Sequence, residues 1–344
     1  MTLTAGLDVG GAHLKIALVQ HGHPISVAQV LCPLWQGLDK LDAALAQAAP
    51  MLAGAQRFAV TMTGELSDLF DSRAHGVASL VDRLGGVLAA PVSFYMGPRG
   101  FGDPDQAKAN ARDVGSANFL ATAAVVGHHC RQALLIDFGS TTADIIPVCD
   151  GQPAARGLTD AERQATGELV YTGLTRTAVM GVASHAPFRG LSVGLAREYL
   201  ATMADVRRIL GHDLDGIDLH ATADGRGKSL PECTARLARM LGRDANDGTA
   251  DDWQAAAAHI REVQLRSLHD AAALVATHAR LPFRSPVVAV TAGIGAGEAA
   301  AVTRRLGLAA TPFGMLIGLS GDVALAATHH APAVAVALLA AEVS

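Results

Sequence analysis

The sequence predicts an α/β fold made by duplication, with two domains facing each other across a cleft and a helical insertion in the second. Three observations carry that expectation. The pattern Asp-x-Gly occurs at Asp8-Val9-Gly10 and again at Asp137-Phe138-Gly139, an offset of 129 residues. At the same offset Ile16 falls on Ile145, Val19 on Val148, Gly22 on Gly151 and Pro24 on Pro153, which marks an internal repeat. A chain of 344 residues is also long for a single core.

Each copy reads as an apolar strand, a tight Gly-containing turn bearing a carboxylate, a returning apolar strand and a Gly/Pro turn, which is a β-hairpin. In the first half the apolar runs 3–7, 14–19 and 25–31 give three strands. A helix over 38–52, a buried strand over 58–62 and a helix over 72–88 with a Gly-Gly stop follow. A strand over 91–96, a Gly/Pro-rich loop over 97–105 and a helix over 116–129 complete that half. The second half opens with strands over 133–137 and 143–148, and its later strand, 287–290, runs into Thr291-Ala292-Gly293 much as the strand near Val60 runs toward Thr63-Gly64. That pair is separated by about 230 residues, so an insertion of roughly 100 residues is expected between 154 and 282. It contains expected helices over 198–210, 230–241 and 253–278. The domain boundaries read 1–129 and 130–320, with a C-terminal helix over 321–344 at the domain junction.

The formal charge of −5 and the scattered Lys and Arg residues offer no phosphate-backbone footprint, which argues against nucleic acid as a partner. Cys32, Cys130, Cys149 and Cys233 form no CxxC or Cys/His cluster, so no zinc site or disulfide framework is expected and a reducing cytoplasm fits. The N-terminus shows no signal-peptide pattern. The apolar stretch 323–343 is interrupted by His329, His330 and Pro332, so it reads as a buried Ala-rich helix kinked near Pro332 and not as a membrane span. A homo-oligomer is compatible with this composition, which leaves the oligomeric state open.

Chemistry is expected at the turns. Asp8 precedes Gly10-Gly11, where glycines let the backbone approach an anion closely, and Lys15 lies on the returning strand. Asp137 precedes Gly139-Ser140-Thr141-Thr142, which adds three hydroxyl donors, and Asp144 stands at the position of Lys15. Two facing turns with two carboxylates suit a polyphosphate with a divalent cation, magnesium or another, held by Asp8 and Asp137 directly or through water. Gly293-Ile294-Gly295-Ala296-Gly297 forms a further Gly-rich turn between a strand and a helix over 298–306, and Gly293 and Gly295 join the phosphate-binding candidates. The adjacent pairs His128-His129 and His329-His330 do not converge on one ion if helical and are read as structural.

The order hairpin, hairpin, then strand, Gly-rich turn and helix resembles the phosphate-1, phosphate-2 and adenosine elements of the actin-like ATPase superfamily, with its sugar kinases and heat-shock ATPases. That resemblance implies two ribonuclease-H-like domains. A narrower resemblance rests on Met62-Thr63-Gly64-Glu65-Leu66-Ser67-Asp68-Leu69-Phe70, on 137–147, on Gly167-Glu168-Leu169-Val170-Tyr171-Thr172-Gly173 with Arg176-Thr177, and on Thr222-Ala223-Asp224-Gly225. These motifs resemble the hydantoinase/oxoprolinase-related proteins of tetrahydromethanopterin-linked one-carbon metabolism. In the methanofuran branch of that family the implied reaction joins an aminomethylfuran-methyl diphosphate to the phenol oxygen of a γ-glutamyl-tyramine, or of a tyrosine-type precursor of methylofuran, with loss of diphosphate.

The implied cleft holds a diphosphate leaving group and ATP is not expected to be required. The phenol needs a base, for which Glu65, His13 and Asp144 are candidates. Glu168, Tyr171 and Arg176 are acceptor-binding candidates, although an ion pair between Glu168 and Arg176 accounts for those two equally well. Two other readings stay open: an ATP-dependent kinase or amidohydrolase of the same superfamily, and a nucleotide-gated binding protein.

Overall fold

The computed structural model describes residues 2–284 and 286–343. The first domain contains β1 (Leu3–Val9), β2 (His13–Gln20), β3 (His23–Leu31), α1 (Asp39–Leu52), β4 (Arg57–Met62), α2 (Arg73–Val87), β5 (Val92–Tyr95) and β6 (Phe101–Gly102). The strands pair in the order β3-β2-β1-β4-β5-β6, with β1, β4 and β5 parallel. Alternation along β1 divides its residues between two faces. Ala5, Leu7 and Val9 join Leu41, Leu45, Val77, Leu80 and Leu84 in one core under α1 and α2. Gly6, and by the same alternation Asp8, look the other way. The loop expected over 97–105 carries β6 and opens α3 (Pro104–Ala109), where Asp103 and Gln106 form a capping box. A short α4 (Ala111–Val114) precedes α5 (Asn118–His129). That last helix begins two residues later than its sequence suggests, because Ser116 has φ +54° and is buried in a turn.

The second half runs through β7 (Gln132–Phe138), β8 (Ala143–Cys149), β9 (Gln152–Pro153), α6 (Asp160–Thr166), β10 (Leu169–Val170), the hairpin β11 (His185–Phe188) and β12 (Leu191–Gly194), α7 (Met203–Ile209), α8 (Leu230–Met240) and α9 (Ala250–His278). It continues through β13 (Val288–Ala292), α10 (Ala296–Arg305), β14 (Ala310–Pro312), α11 (Phe313–Leu316), α12 (Gly321–His329) and α13 (Ala331–Glu342). The sheet order β10-β8-β7-β13-β14 repeats the first domain's path, with β7 and β8 antiparallel and β13 and β14 parallel. The duplication is therefore real, and the fold is a two-domain α/β arrangement in which each half is led by a β-hairpin. Gly64 and Gly295 mark the equivalence, each lying against the strand end after the Asp: a Cβ on Gly64 would sit 3.2 Å from the Val9 carbonyl oxygen and 2.7 Å from Leu34 Cδ2, and one on Gly295 would sit 2.5 Å from the Phe138 ring.

Three features differ from the sequence expectation. The counterpart of β3 is split into β9 and β10, which pair with opposite ends of β8 on either side of the excursion carrying α6. The helix expected over 198–210 is confined to Met203–Ile209, because Thr202 and Asp205 form a capping box that starts it there. The insertion with its own core, built on Val179, Phe188, Met203, Leu237, Trp253 and Ile260, is narrower than 154–282. α9 enters that core with Trp253, Ala256 and Ile260, then supplies Leu265, Leu268, Ala272 and Val275 to the core beside the second sheet.

The Ala-rich stretch is two helices, α12 and α13, bent by 99°. Among the described residues no single helix is long and apolar enough to cross a membrane. α13 packs on β1, β2 and β4, whereas α5, which closes the first half, packs on β7, β8 and β9, and the two helices also meet each other. Close approach explains the glycine at position 6, where an added Cβ would lie 2.1 Å from the Ala333 carbonyl oxygen.

Candidate functional site

Each domain's first hairpin turns toward one cleft. Gly10 N donates to the His13 carbonyl at 3.0 Å and Gly139 N to the Thr142 carbonyl at 2.9 Å, so the two turns close in the same way. The first hairpin's antiparallel register sets Lys15 opposite Asp8. The Lys15 ammonium donates to Asp8 Oδ2 at 2.8 Å, while Asp8 Oδ1 is buried without a partner. Burial opposes the charge on Lys15, but Asp8, aided by Asp137 and Asp144, outweighs it and holds the ammonium above its ordinary pKa.

In the second hairpin the same register sets carboxylate against carboxylate, Asp144 opposite Asp137. Burial, then Asp144, pushes Asp137 up to about 7. Its side chain lines the cleft and accepts no hydrogen bond among the described residues. Asp144 is held by a short ion pair to Arg163, whose guanidinium also meets Asp160 at 2.8 Å and lies 3.9 Å from the centroid of the Phe119 ring. Burial still leaves the Asp144 pKa raised despite Arg163.

The cleft has a volume of about 530 Å³, within the roughly 300–1,000 Å³ of small-molecule sites. Residues 57–317 match the hydantoinase/oxoprolinase family. The chain belongs to the hydantoinase/oxoprolinase family. It is 33% identical over 240 residues to the (4-{4-[2-(gamma-L-glutamylamino)ethyl]phenoxymethyl}furan-2-yl)methanamine synthase of Methanocaldococcus jannaschii, covering 70% of this chain and 71% of that one. It is 32% identical over 122 residues to the synthase of the same name from Methanococcus vannielii, covering 36% of this chain and 54% of that one. Among solved structures, nucleotide-free acetone carboxylase shares the fold with a TM-score of 0.53 at 11% identity, over 89% of this chain and 68% of that chain.

In this hydantoinase/oxoprolinase-family chain the residues singled out from sequence separate into those lining the cleft and those behind it. Lys15, Asp137 and Asp144 line it, as do Gly10 and Gly11 of the first turn and Gly139, Ser140, Thr141 and Thr142 of the second. Tyr171 and Arg176 line it from the insertion side. Asp8 stands behind Lys15. Gly293 and Gly295 stand behind the second turn: with φ +77°, Gly293 leaves space in which a Cβ would sit 2.4 Å from Asp137 Oδ1, and Gly295 N donates to the Phe138 carbonyl at 2.8 Å. These two glycines support the hairpin and do not face the cleft. Glu168 is buried and clamps a loop, accepting from Arg156 N, Gly157 N and Thr166 Oγ1 at 2.7, 3.0 and 3.0 Å. It makes no ion pair with Arg176 among the described residues.

The three base candidates differ sharply. His13 lines the cleft, but burial, then His220, Lys15 and Arg176, lower its pKa to about 2, so it is a very weak base. Asp144 is occupied by Arg163. Glu65 lies behind Ser116, whose Oγ donates to Glu65 Oε1 at 2.8 Å, while Oε2 is buried and unpartnered. Burial outweighs that hydrogen bond and pushes Glu65 up to about 7. Ser116, which does line the cleft, was not apparent from sequence, nor were Trp35, Asp160 and Arg163. Arg163 lies only three residues after Asp160, which is the one local sign of their pairing.

No group of three or more His, Cys, Asp or Glu residues is arranged to cage a metal among the described residues. The donors do fit a hard divalent cation shared with a phosphate ligand, which needs only one or two carboxylates. Asp137 is unpartnered at the cleft surface, and Asp8, with Oδ1 buried and unpartnered, lies behind Lys15.

Proposed function

We propose that the chain is a transferase of methanofuran or methylofuran biosynthesis. It couples an aminomethylfuran-methyl diphosphate to the phenol oxygen of a γ-glutamyl-tyramine or tyrosine-type acceptor. The observation that carries this reading is the 33% identity to the archaeal synthase over 71% of its length. The phenol oxygen attacks the furan-bound CH₂, the bond from that carbon to the diphosphate oxygen breaks, and diphosphate leaves with the electron pair. Asp137, with Asp8 behind it, would hold a divalent cation such as magnesium, which when bound would supply charge neutralisation to the departing group. The turns at 10–11 and 139–142 present backbone and hydroxyl donors to the phosphate oxygens, and Lys15 adds positive charge. Ser116 accepts the phenol proton while passing its own to Glu65, whose pKa of about 7 suits a base working near neutrality. Tyr171 and Arg176 position the acceptor.

Incubation with the furan diphosphate, γ-glutamyl-tyramine and magnesium tests the proposal. Ether product and inorganic diphosphate should appear in equal amounts without ATP. Turnover strictly coupled to ATP hydrolysis would replace this reading with the kinase or amidohydrolase one. Partner affinity gated by ATP, without turnover, would favour a binding protein.

A further inference from the structure

A second cavity of about 200 Å³ adjoins the cleft on the insertion side of Trp35. It is smaller than the roughly 300–1,000 Å³ that encloses a whole ligand, so it suits one arm of a ligand whose body lies in the cleft. Trp35 and Arg176 line both spaces. The Trp35 ring stacks on His220 with centroids 5.9 Å apart, and the Arg176 guanidinium lies 5.2 Å from the Trp35 centroid.

The two carboxylates that line this compartment are already paired, and Arg176 is the lining cation they leave over. Asp218 is shared by Arg208 at 2.8 Å and Lys228 at 3.3 Å, and Asp205 is taken by Arg236 at 2.8 Å. Arg176 has only a neutral hydrogen-bond partner, Thr141 Oγ1 at 3.0 Å, and no ion pair among the described residues. His220, lowered to about 4 by burial and then by Arg176, contributes no charge at neutral pH. Tyr199 and Thr222 line the same walls, and Thr222 opens the Thr-Ala-Asp-Gly motif. A half-buried guanidinium without a carboxylate, at the mouth of a small compartment whose own two carboxylates are already paired, is built for an anion. Arg176 reaches the diphosphate cradle through Thr141, and its side toward the compartment is left for an anion of the other substrate.

We infer that this side compartment binds the carboxylate-bearing tail of the acceptor, an inference that rests on the transferase reading above. The ligand class is a phenol carrying an amino-acid arm in amide linkage, with the phenol in the cleft and the arm's carboxylate on Arg176. The test compares γ-glutamyl-tyramine with N-butyryl-tyramine, which keeps the amide and loses the charges, and with tyramine, which has no arm. The wild type should prefer the glutamyl acceptor over the butyryl one by roughly 10- to 100-fold in kcat/KM, and Arg176→Gln should collapse that preference mainly through KM. Ala221 is exposed on the compartment wall, so Ala221→Leu narrows the space without disturbing a core. It should raise KM for γ-glutamyl-tyramine and leave tyramine unaffected. Equal use of all three acceptors by the wild type, or equal losses for γ-glutamyl-tyramine and tyramine in Ala221→Leu, overturns the inference and leaves the transferase reading standing. If no acceptor releases diphosphate, the transferase reading fails instead. Calorimetric binding of γ-glutamyl-tyramine then decides the compartment: weaker binding to Ala221→Leu upholds it, and unchanged binding overturns it.

Discussion

Asp8 and Asp137 occupy matching positions on matching strands, yet one faces Lys15 and the other faces Asp144. Substitution to Asn keeps the shape of each side chain and removes its charge. Under the proposed mechanism Asp137→Asn and Asp8→Asn each lower kcat by roughly 100-fold or more, measured as diphosphate release at saturating magnesium. Stability moves the other way for Asp137. Its pKa in the folded chain, about 7, lies above the ordinary value of 3.8, so its stabilising contribution is complete below about pH 4 and is lost as pH rises through 7. Without substrate and metal, Asp137→Asn should therefore melt higher than the wild type at pH 8 and at the same temperature near pH 4. Glu65 gives a kinetic counterpart: with magnesium saturating, so that Asp137 stays ionised, kcat/KM should rise with pH through about 7, and Glu65→Gln should abolish that rise. The exchange of Lys15 for Asp144 was legible because the repeat aligns them. The Ser116–Glu65 hydrogen bond was not, because φ +54° at a Ser in a loop leaves no local pattern to read.

The strands and long helices were legible where hydrophobic period and capping agree, as in α9 behind the Thr249 capping box. The split of the third strand into β9 and β10 was hidden, since two residues in each carry no periodic signal. That split brings α6, and with it Arg163, over the second hairpin. Arg163 is 3% exposed and pairs two carboxylates, so Arg163→Met should cost about 3–5 kcal/mol by leaving Asp144 buried and unpaired, read from the denaturation midpoint. The contact between α13 and β1 offers a second measurement. A methyl at position 6 would meet the Ala333 carbonyl and the Ala337 Cβ, so Gly6→Ala should destabilise by about 1–3 kcal/mol through displacement of the helix.

Across the whole molecule the duplication was legible from one constant offset, but the destination of the two crossing helices was not. α13 is buried on every side over residues 331–337, so its composition announces burial without saying which sheet receives it. With both turns lining one cleft, diphosphate and magnesium should slow hydrogen exchange at 9–13 and 138–142 together. Protection confined to one turn would contradict a shared site. The crossing also sets an order in time. α13 leaves the ribosome 328 residues after β1 begins, which at roughly 5–20 residues per second is a wait of roughly 15–65 s. Through that interval the face of the first sheet that will receive α13 has no cover. Gly6, Ala17 and Ala59 lie on it, in contrast to the Leu, Ile and Val of the opposite face. The nascent chain thus waits with the less adhesive face of that sheet bare, the more adhesive one being the face that α1 and α2 cover.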